Sequence, residues 1–219
     1  MIIAIDGPSG SGKTTLGRML ASALKLLYID TGSMYRATAL AVIEAGMDPT
    51  DKSSVTALAR RIEIDLKGDP DSLWVLLDGR DVTDQIRTER VTEMSSIVST
   101  IPGVRRAMVE RQRAMGKRGA VLNGRDIGTV VFPDADIKFF LTAAPEERAE
   151  RRYKEDQLTA ISNASYAETL ADMIERDRRD STRIDSPLKV ADDAVVIDST
   201  GKNVDEVFAE MMTYVHRDN

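Results

Sequence analysis

Cysteine is absent from the 219 residues, and histidine occurs once, at His216. Disulfides and thiolate metal sites are therefore excluded. The lone histidine sits near the end of a helical pattern and reads as a solvated helix-end residue, which argues against histidine chemistry. Aromatics are scarce at 5%, while charged residues reach 30%, an ordinary water-soluble profile with many helices. No apolar stretch approaches the roughly eighteen residues of a membrane span, and no signal-peptide pattern opens the chain. Met1 leads straight into an apolar run, so a cytoplasmic protein with no membrane partner is expected. A basic surface is also missing. The formal net charge is −6, against the nonspecific binding of nucleic acid. There is no N-K-x-D guanine-recognition motif, nor a strand-end carboxylate with a nearby glutamine to position water, so a GTPase switch or a hydrolase fits poorly.

What is present begins at once. Met1–Ile5 is short, apolar and β-branched, the pattern of a buried parallel strand. It runs into Gly7-Pro8-Ser9-Gly10-Ser11-Gly12-Lys13-Thr14, which fits G-x-x-x-x-G-K-[ST] without a mismatch. Glycines let several backbone N–H groups converge on one point, and the following helix aims its N-terminal dipole there. Lys13 adds a point charge that can follow a moving phosphoryl group, and Thr14 a hydroxyl for Mg2+. A chance match in a glycine-rich surface loop is the alternative, but the strand before and helix after supply the context the motif requires. Gly7, Pro8, Ser9, Gly10, Ser11, Gly12, Lys13, Thr14 and Thr15 are thus the expected ATP-binding set, with Thr14 as the metal ligand.

The remainder alternates between strand and helix patterns. A helix is predicted over Thr15–Leu24, with Leu16, Met19, Leu20 and Ala23 as its apolar stripe. A strand follows at Leu26–Ile29, then a helix capped by Ser33 and ended near Ala45 by Gly46, and another over Ser53–Arg61. Ile62–Arg87 reads as an inserted antiparallel meander, with a hairpin signal at Asp78-Gly79 and the only tryptophan, Trp74, either core or ligand platform. Helices are predicted at Glu89–Ser99, Val104–Met115, Pro145–Gln157, Tyr166–Arg179 (the last two joined by Leu158–Ser165) and Val204–Val215. Strands are predicted at Ala120–Leu122, Ile137–Leu141 and Ala194–Ile197. The fold class is therefore α/β, a doubly wound parallel sheet of P-loop type with a small antiparallel β insert and an α-helical lid. One domain is expected over 1–219, with the insert at 62–87 and the lid region at 145–183. Ligands then gather at the strands' carboxyl ends, at Asp6-Gly7, Asp30-Thr31, Asn123 to Asp126 and Leu141-Thr142.

Arginine placement is the second signal. Arg176, Arg179, Asp180 and Arg183 fall at i, i+3, i+4 and i+7, one helical face, and Arg148, Arg151 and Arg152 form a similar group on the preceding helix. A solvated face balanced by Glu146, Glu147, Glu150 and Glu175 is the bland alternative. Two unit charges at 4 Å repel by about 4 kcal/mol at an effective dielectric near 20, so a triphosphate meeting a phosphorylated acceptor needs cations. Guanidinium forks suit phosphate oxygens, and arginine-rich lid helices would also exclude water, favouring a transferase.

The residues resemble the bacterial-type cytidylate (CMP) kinases, within the P-loop nucleoside monophosphate kinases. The resemblance rests on Ile5–Lys13 (IDGPSGSGK), Asp30–Arg36 (DTGSMYR), Gly124–Thr129 (GRDIGT), Glu146–Arg152 (EERAERR) and Glu175–Arg183 (ERDRRDSTR), and it covers essentially the whole chain. It implies transfer of the γ-phosphoryl of ATP, with Mg2+, to CMP or dCMP. Thr31, Arg36 and Arg125 match positions holding the acceptor's phosphate, and Asp126, Arg176 and Asp180 lie along the acceptor nucleotide, the last two at its sugar. Ser96, Arg105 and Arg183 match the readers of the cytosine edge. Arg148, Arg151 and Arg152 match lid arginines over the donor. Lys13, Arg125, Arg151 and Arg152 are the expected catalytic groups, Arg125 foremost. Asn123 departs from the pattern, which usually has Asp there, and implies a weaker hold on Mg2+. A kinase for UMP or another small phosphate acceptor, or a nucleotide-binding module without turnover, is the alternative. A monomer with nucleotides as its partners is expected.

Overall fold

In the computed structural model, residues 1–159 and 164–216 are described. Five parallel strands form the main sheet: β1 (Ile2–Asp6), β2 (Leu27–Asp30), β6 (Ala120–Gly124), β7 (Ile137–Thr142) and β8 (Val195–Asp198), in the order β2-β6-β1-β7-β8. The reason β1 is central lies in its composition. Ile3, Ala4 and Ile5 have no exposed surface, as expected of a strand covered on both faces. β6 pairs with its one edge from Ile2↔Ala120 to Asp6↔Gly124, and β7 with the other. The chain leaves β1 toward β2 on one side of the sheet, while the neighbouring β7 continues to β8 on the other, opening a crevice at the carboxyl ends.

Helices α2 (Thr31–Glu44), α3 (Lys52–Arg61), α4 (Glu89–Val98) and α5 (Pro102–Gly116) contribute to the hydrophobic cluster on one face. On the other face α1 (Lys13–Leu24) and α8 (Val204–Val215) pack against Ile3, Ile5 and Phe139. Helices α6 (Pro145–Thr159) and α7 (Tyr166–Thr182) form an antiparallel pair beside the crevice. The predicted joint at Leu158–Ser165 falls in part on residues 160–163, outside the described residues. α7 runs past the expected end at Arg179, and Arg183 is its C-cap. His216 is the exposed C-cap of α8. Among the described residues no helix is long and apolar enough to cross a membrane.

Several local expectations are corrected. The cap of α2 is Asp30, whose carboxylate accepts from the Ser33 N–H at 3.3 Å; Ser33 lies three residues inside the helix. α1 starts at Lys13, because Gly12 holds the left-handed conformation (φ 90°) that turns the loop into the helix. Its buried face is Leu16, Gly17, Leu20 and Ala21, while Ala23 is exposed and Met19 half-buried. Gly17 explains the rotation of the stripe, since a Cβ there would lie 2.9 Å from Tyr28 Cε2 and the close approach of α1 to β2 needs its absence. α5 takes Pro102 at its first turn, where the missing N–H costs nothing. In the meander, β3 (Ile64–Lys67), β4 (Trp74–Leu77) and β5 (Arg80–Asp81) form a separate antiparallel sheet turned by Asp78 and Gly79, both at positive φ. Val75 and Leu77 point inward on β4, so Trp74 on the alternate face is exposed and is neither core nor a wall of the crevice.

Replacing Gly17 by valine forces α1 off Tyr28. Overpacking of this kind costs about 1–3 kcal/mol, and thermal denaturation should show the melting temperature of Gly17→Val falling by several degrees. An unchanged melting temperature would mean the contact is not close in solution.

Candidate active site

The phosphate loop is packed against the sheet. A Cβ on Gly7 would fall 2.0 Å from the Leu141 carbonyl oxygen, so only glycine lets the chain leave β1 across the end of β7. Ser11 Oγ donates to the Pro8 carbonyl at 3.0 Å. Lys13 Nζ folds back on the same loop, donating to Pro8 O and, at 3.3 Å, to Ser11 Oγ. Burial, then the nearby Arg125, pushes the Lys13 ammonium well below its ordinary pKa. A cation held only by neutral oxygens in a place poor in water gains strongly from an arriving anion.

Beside it, Asn123 at the end of β6 donates from Nδ2 to Thr14 Oγ1 at 3.2 Å, while its Oδ1 is buried with no partner. No group of three or more carboxylate, histidine or cysteine ligands occurs among the described residues. The hard oxygens of Thr14 and Asn123 suit a magnesium ion that takes its other ligands from phosphate and water, so the residues present fit that ion.

The loop forms one end of a cavity of about 760 Å³. At the other end Arg36 pairs with Asp30 at 3.2 Å and bonds Ser33 Oγ at 3.0 Å. Thr31 Oγ1 donates to the Asn123 carbonyl at 2.7 Å, tying α2 to β6. Arg125 Nε donates to Asp180 at 2.9 Å, bridging the β6 end to α7. Arg105, 2% exposed, pairs with Asp126, donates to the Ser99 carbonyl at 3.2 Å, and lies 5.4 Å over the Tyr35 ring. Arg183 reaches Asp180 at 3.5 Å and Asp126 at 3.9 Å, with its Nε on the Ser186 carbonyl. Arg105 Nε, Arg183 Nη2 and Arg36 Nε are buried donors without acceptors. Arg176 lines the same space with no ion pair or hydrogen bond among the described residues, and burial together with Arg125 lowers its pKa to about 10. It remains a cation at neutral pH. Eleven cationic and four anionic side chains line the cavity of a chain whose net charge is −6. Such a concentration of positive charge calls for polyanions.

Of the predicted site residues, Ser9 to Thr15, Thr31, Arg36, Arg105, Arg125, Asp126, Arg151, Arg152, Arg176, Asp180 and Arg183 line this one cavity. Gly7 and Pro8 are not on the cavity wall; Gly7 packs on the Leu141 carbonyl, and the Pro8 carbonyl accepts from Ser11 and Lys13. Arg151 is held by Ser199 Oγ at 3.0 Å and the Ser199 carbonyl at 2.8 Å, and Arg152 by Asp156 at 2.9 Å. Three expectations are corrected. Arg148 is not on the cavity wall, unlike Arg151 and Arg152; its buried guanidinium donates to Ser9 O, Ala143 O and Asp177. Arg179 leaves the common face of α7 and pairs with Glu175 at 3.7 Å, because a 3.6-residue turn carries i+3 off the stripe set by Arg176 and Asp180. Ser96 is buried but not on the cavity wall, where Thr92, Ser95 and Ser99 stand at i, i+3 and i+7.

Asp6 was placed at a strand end by sequence but given no role, although an acid closing a buried strand is a legible signal. Its carboxylate accepts from the Ile127 N–H at 2.9 Å and the Gly128 N–H at 2.8 Å, fixing the segment that presents Arg125 and Asp126. Burial raises its pKa from 3.8 to about 6, against those two bonds, with Asp126 adding to the rise and Lys13 opposing it. A carboxyl whose folded pKa lies above its unfolded value stabilises the fold while protonated. That contribution is present below about pH 4 and fades as pH rises through about 6, a change on the order of 3 kcal/mol. Urea denaturation of Asp6→Asn across pH 4 to 7 should lack this decline; an identical profile in both proteins would remove Asp6 as its source.

Comparison with known proteins agrees with this geometry. The cytidylate kinase family profile matches residues 3–217. A cytidylate kinase of Geobacter sp. (strain M21) is 48% identical over 96% of this chain and 91% of its own length. One from Halalkalibacterium halodurans is 46% identical over 98% of this chain and 97% of its own. Among solved structures, an uncharacterized protein from Eubacterium ventriosum aligns over 99% of this chain and 98% of that one with a TM-score of 0.55 at 12% identity, a likeness of fold alone. With the five motifs in order, a cleft walled by their arginines and relatives alike over almost their full length, this chain belongs to the cytidylate kinase family.

Proposed function

We propose that this protein transfers the γ-phosphoryl group of ATP to CMP or dCMP, giving ADP and CDP or dCDP. One observation carries the assignment: the phosphate loop and the cluster Arg36, Arg105, Arg125, Arg176 and Arg183 open into a single cavity. Two polyanions can meet there in line.

The acceptor supplies its own nucleophile, a phosphate oxygen already ionised at neutral pH, so no general base is required. That oxygen attacks the γ-phosphorus as the bond to the β,γ-bridging oxygen breaks, and the charge leaves on ADP. What the protein provides is position and compensating charge. Lys13 exchanges the Pro8 carbonyl and Ser11 hydroxyl for phosphate oxygens. Arg125 and Arg176, the latter with no ion pair or hydrogen bond among the described residues, face the transferring group, and Arg36 receives the acceptor phosphate from the Thr31 side. Asp180, held below the usual carboxylate range because Arg125, Arg176 and Arg183 outweigh its burial, stays ionised to accept from a sugar hydroxyl. Cytosine presents acceptors at O2 and N3, which match the free donors of Arg105 and Arg183. Uracil has an N–H at N3, which would face a guanidinium, so the same edge rejects UMP. Arg151 and Arg152, now bound to Ser199, Glu147 and Asp156, are positioned on the lid helix to turn to the donor phosphates. Thr14 and Asn123 would hold a magnesium ion, which would supply neutralising charge for the phosphate oxygens. A neutral amide holds it more weakly than a carboxylate.

Initial rates with ATP, Mg2+ and each of CMP, dCMP, UMP and AMP test the assignment. CMP and dCMP should exceed the other two in kcat/KM by roughly a hundredfold or more, the range open to hydrogen-bonded discrimination. Arg125→Ala should lower turnover on the order of a thousandfold. ATP binding without any CDP formation would instead mark a nucleotide-binding module.

A further inference from the structure

Arg148 lies on the opposite side of the phosphate loop from the cavity, where the lid helices touch it. Its side chain is 6% exposed. Nε donates to the Ala143 carbonyl at 2.9 Å, while Nη1 donates both to the Ser9 carbonyl at 2.9 Å and to Asp177 Oδ2 on α7 at 2.6 Å. The next residue, Gly10, is at φ 73°, and a Cβ there would lie 2.9 Å from both the Arg148 carbonyl oxygen and Met173 Cε. The back of the loop is thus seated on α6 and α7. The peptide unit is planar and trans, so its C=O and N–H point in opposite directions. A Ser9 carbonyl drawn outward to Arg148 therefore turns the Gly10 N–H toward the cavity that Ser9 and Gly10 line. Asp177 holds the guanidinium in place from the helix whose Arg176 and Asp180 line the other end of that cavity.

We propose that Arg148, held by Asp177, is a positioning residue for the donor: it fixes the Ser9–Gly10 peptide with its N–H toward the triphosphate and ties the donor loop to the acceptor helix. This rests on the phosphotransferase assignment, but its test does not need turnover. A plain structural brace would, on removal, weaken both nucleotides together. A peptide-orienting one weakens the donor selectively.

The test is calorimetric binding of a non-hydrolysable ATP analogue with Mg2+, and separately of CMP, to the full chain and to Asp177→Asn, Arg148→Met and Arg148→Lys. Asp177→Asn and Arg148→Met should raise the Kd of the ATP analogue about tenfold, the scale of a positioning interaction, with the Kd of CMP within about twofold. Arg148→Lys should recover part of the loss, because an ammonium still donates to the Ser9 carbonyl. Adding Asp177→Asn to Arg148→Met should cost nothing further, since both act through one contact. Unchanged affinity for the analogue in Asp177→Asn, or equal losses for analogue and CMP, overturns the proposal. Should Arg148→Met not fold, Asp177→Asn decides alone, because its amide oxygen keeps an uncharged acceptor beside Arg148. A wild-type chain that binds both nucleotides yet makes no CDP sinks the phosphotransferase assignment and leaves this comparison readable.

Discussion

Repulsion between like charges governs this molecule twice. With both nucleotides present, a triphosphate and a monophosphate, each carrying negative charge, must approach within bonding distance. With neither present, the cations that would hold them must tolerate one another. The second condition is visible in the structure. Arg125 lowers the pKa of both Lys13 and Arg176, after burial. Asp30, Asp126 and Asp180 each hold an arginine in the cavity. These carboxylates hold the guanidinium groups in place around the cavity, so that under the proposed function nucleotide binding would exchange partners instead of assembling a site. Preorganisation of this kind uses stability to hold a charge cluster ready.

The sheet makes that arrangement possible because its central strand is buried on both faces. β1 and β6 end side by side, with Asp6 opposite Gly124. From one strand end the phosphate loop departs, and from the other the turn bearing Arg125 and Asp126. Asp6 links them by accepting from Ile127 and Gly128. α7 joins the third corner through the Arg125 bond to Asp180. Distant segments thus share a cavity because each is anchored where parallel strands stop.

Much of this was legible in the residues themselves. The glycine-rich loop needs one backbone shape, and the α/β alternation left a parallel sheet as its natural outcome, with the last helix placed at Val204–Val215 as found. Reasoning from side-chain hydrophobicity could not see Gly17, whose role is to be absent between α1 and Tyr28. The capping of α2 by Asp30 was missed because Ser33 is equally good capping chemistry three residues later. Charge periodicity grouped Arg148 with Arg151 and Arg152, yet it cannot tell which side of a helix meets the cleft. Ser96 was taken from the resemblance alone, and a motif position does not say which side of α4 meets the cavity, whose wall carries Ser95 and Ser99. Trp74 was left as either core or ligand platform, and strand alternation makes it neither by turning it outward.

Under the proposed function, guanidinium groups from separate segments escort two anions into one cleft. A crystal structure with a bisubstrate analogue, cytidine joined to adenosine through a polyphosphate bridge, tests this most directly. Arg36, Arg125 and Arg176 should lie within hydrogen-bond distance of the bridge on the cytidine side, with Lys13 and the loop N–H groups on the adenosine side and Arg151 and Arg152 released from Ser199 and Asp156. An analogue bound with these arginines still on their present carboxylate and carbonyl partners, and the bridge in contact with the loop alone, would contradict it.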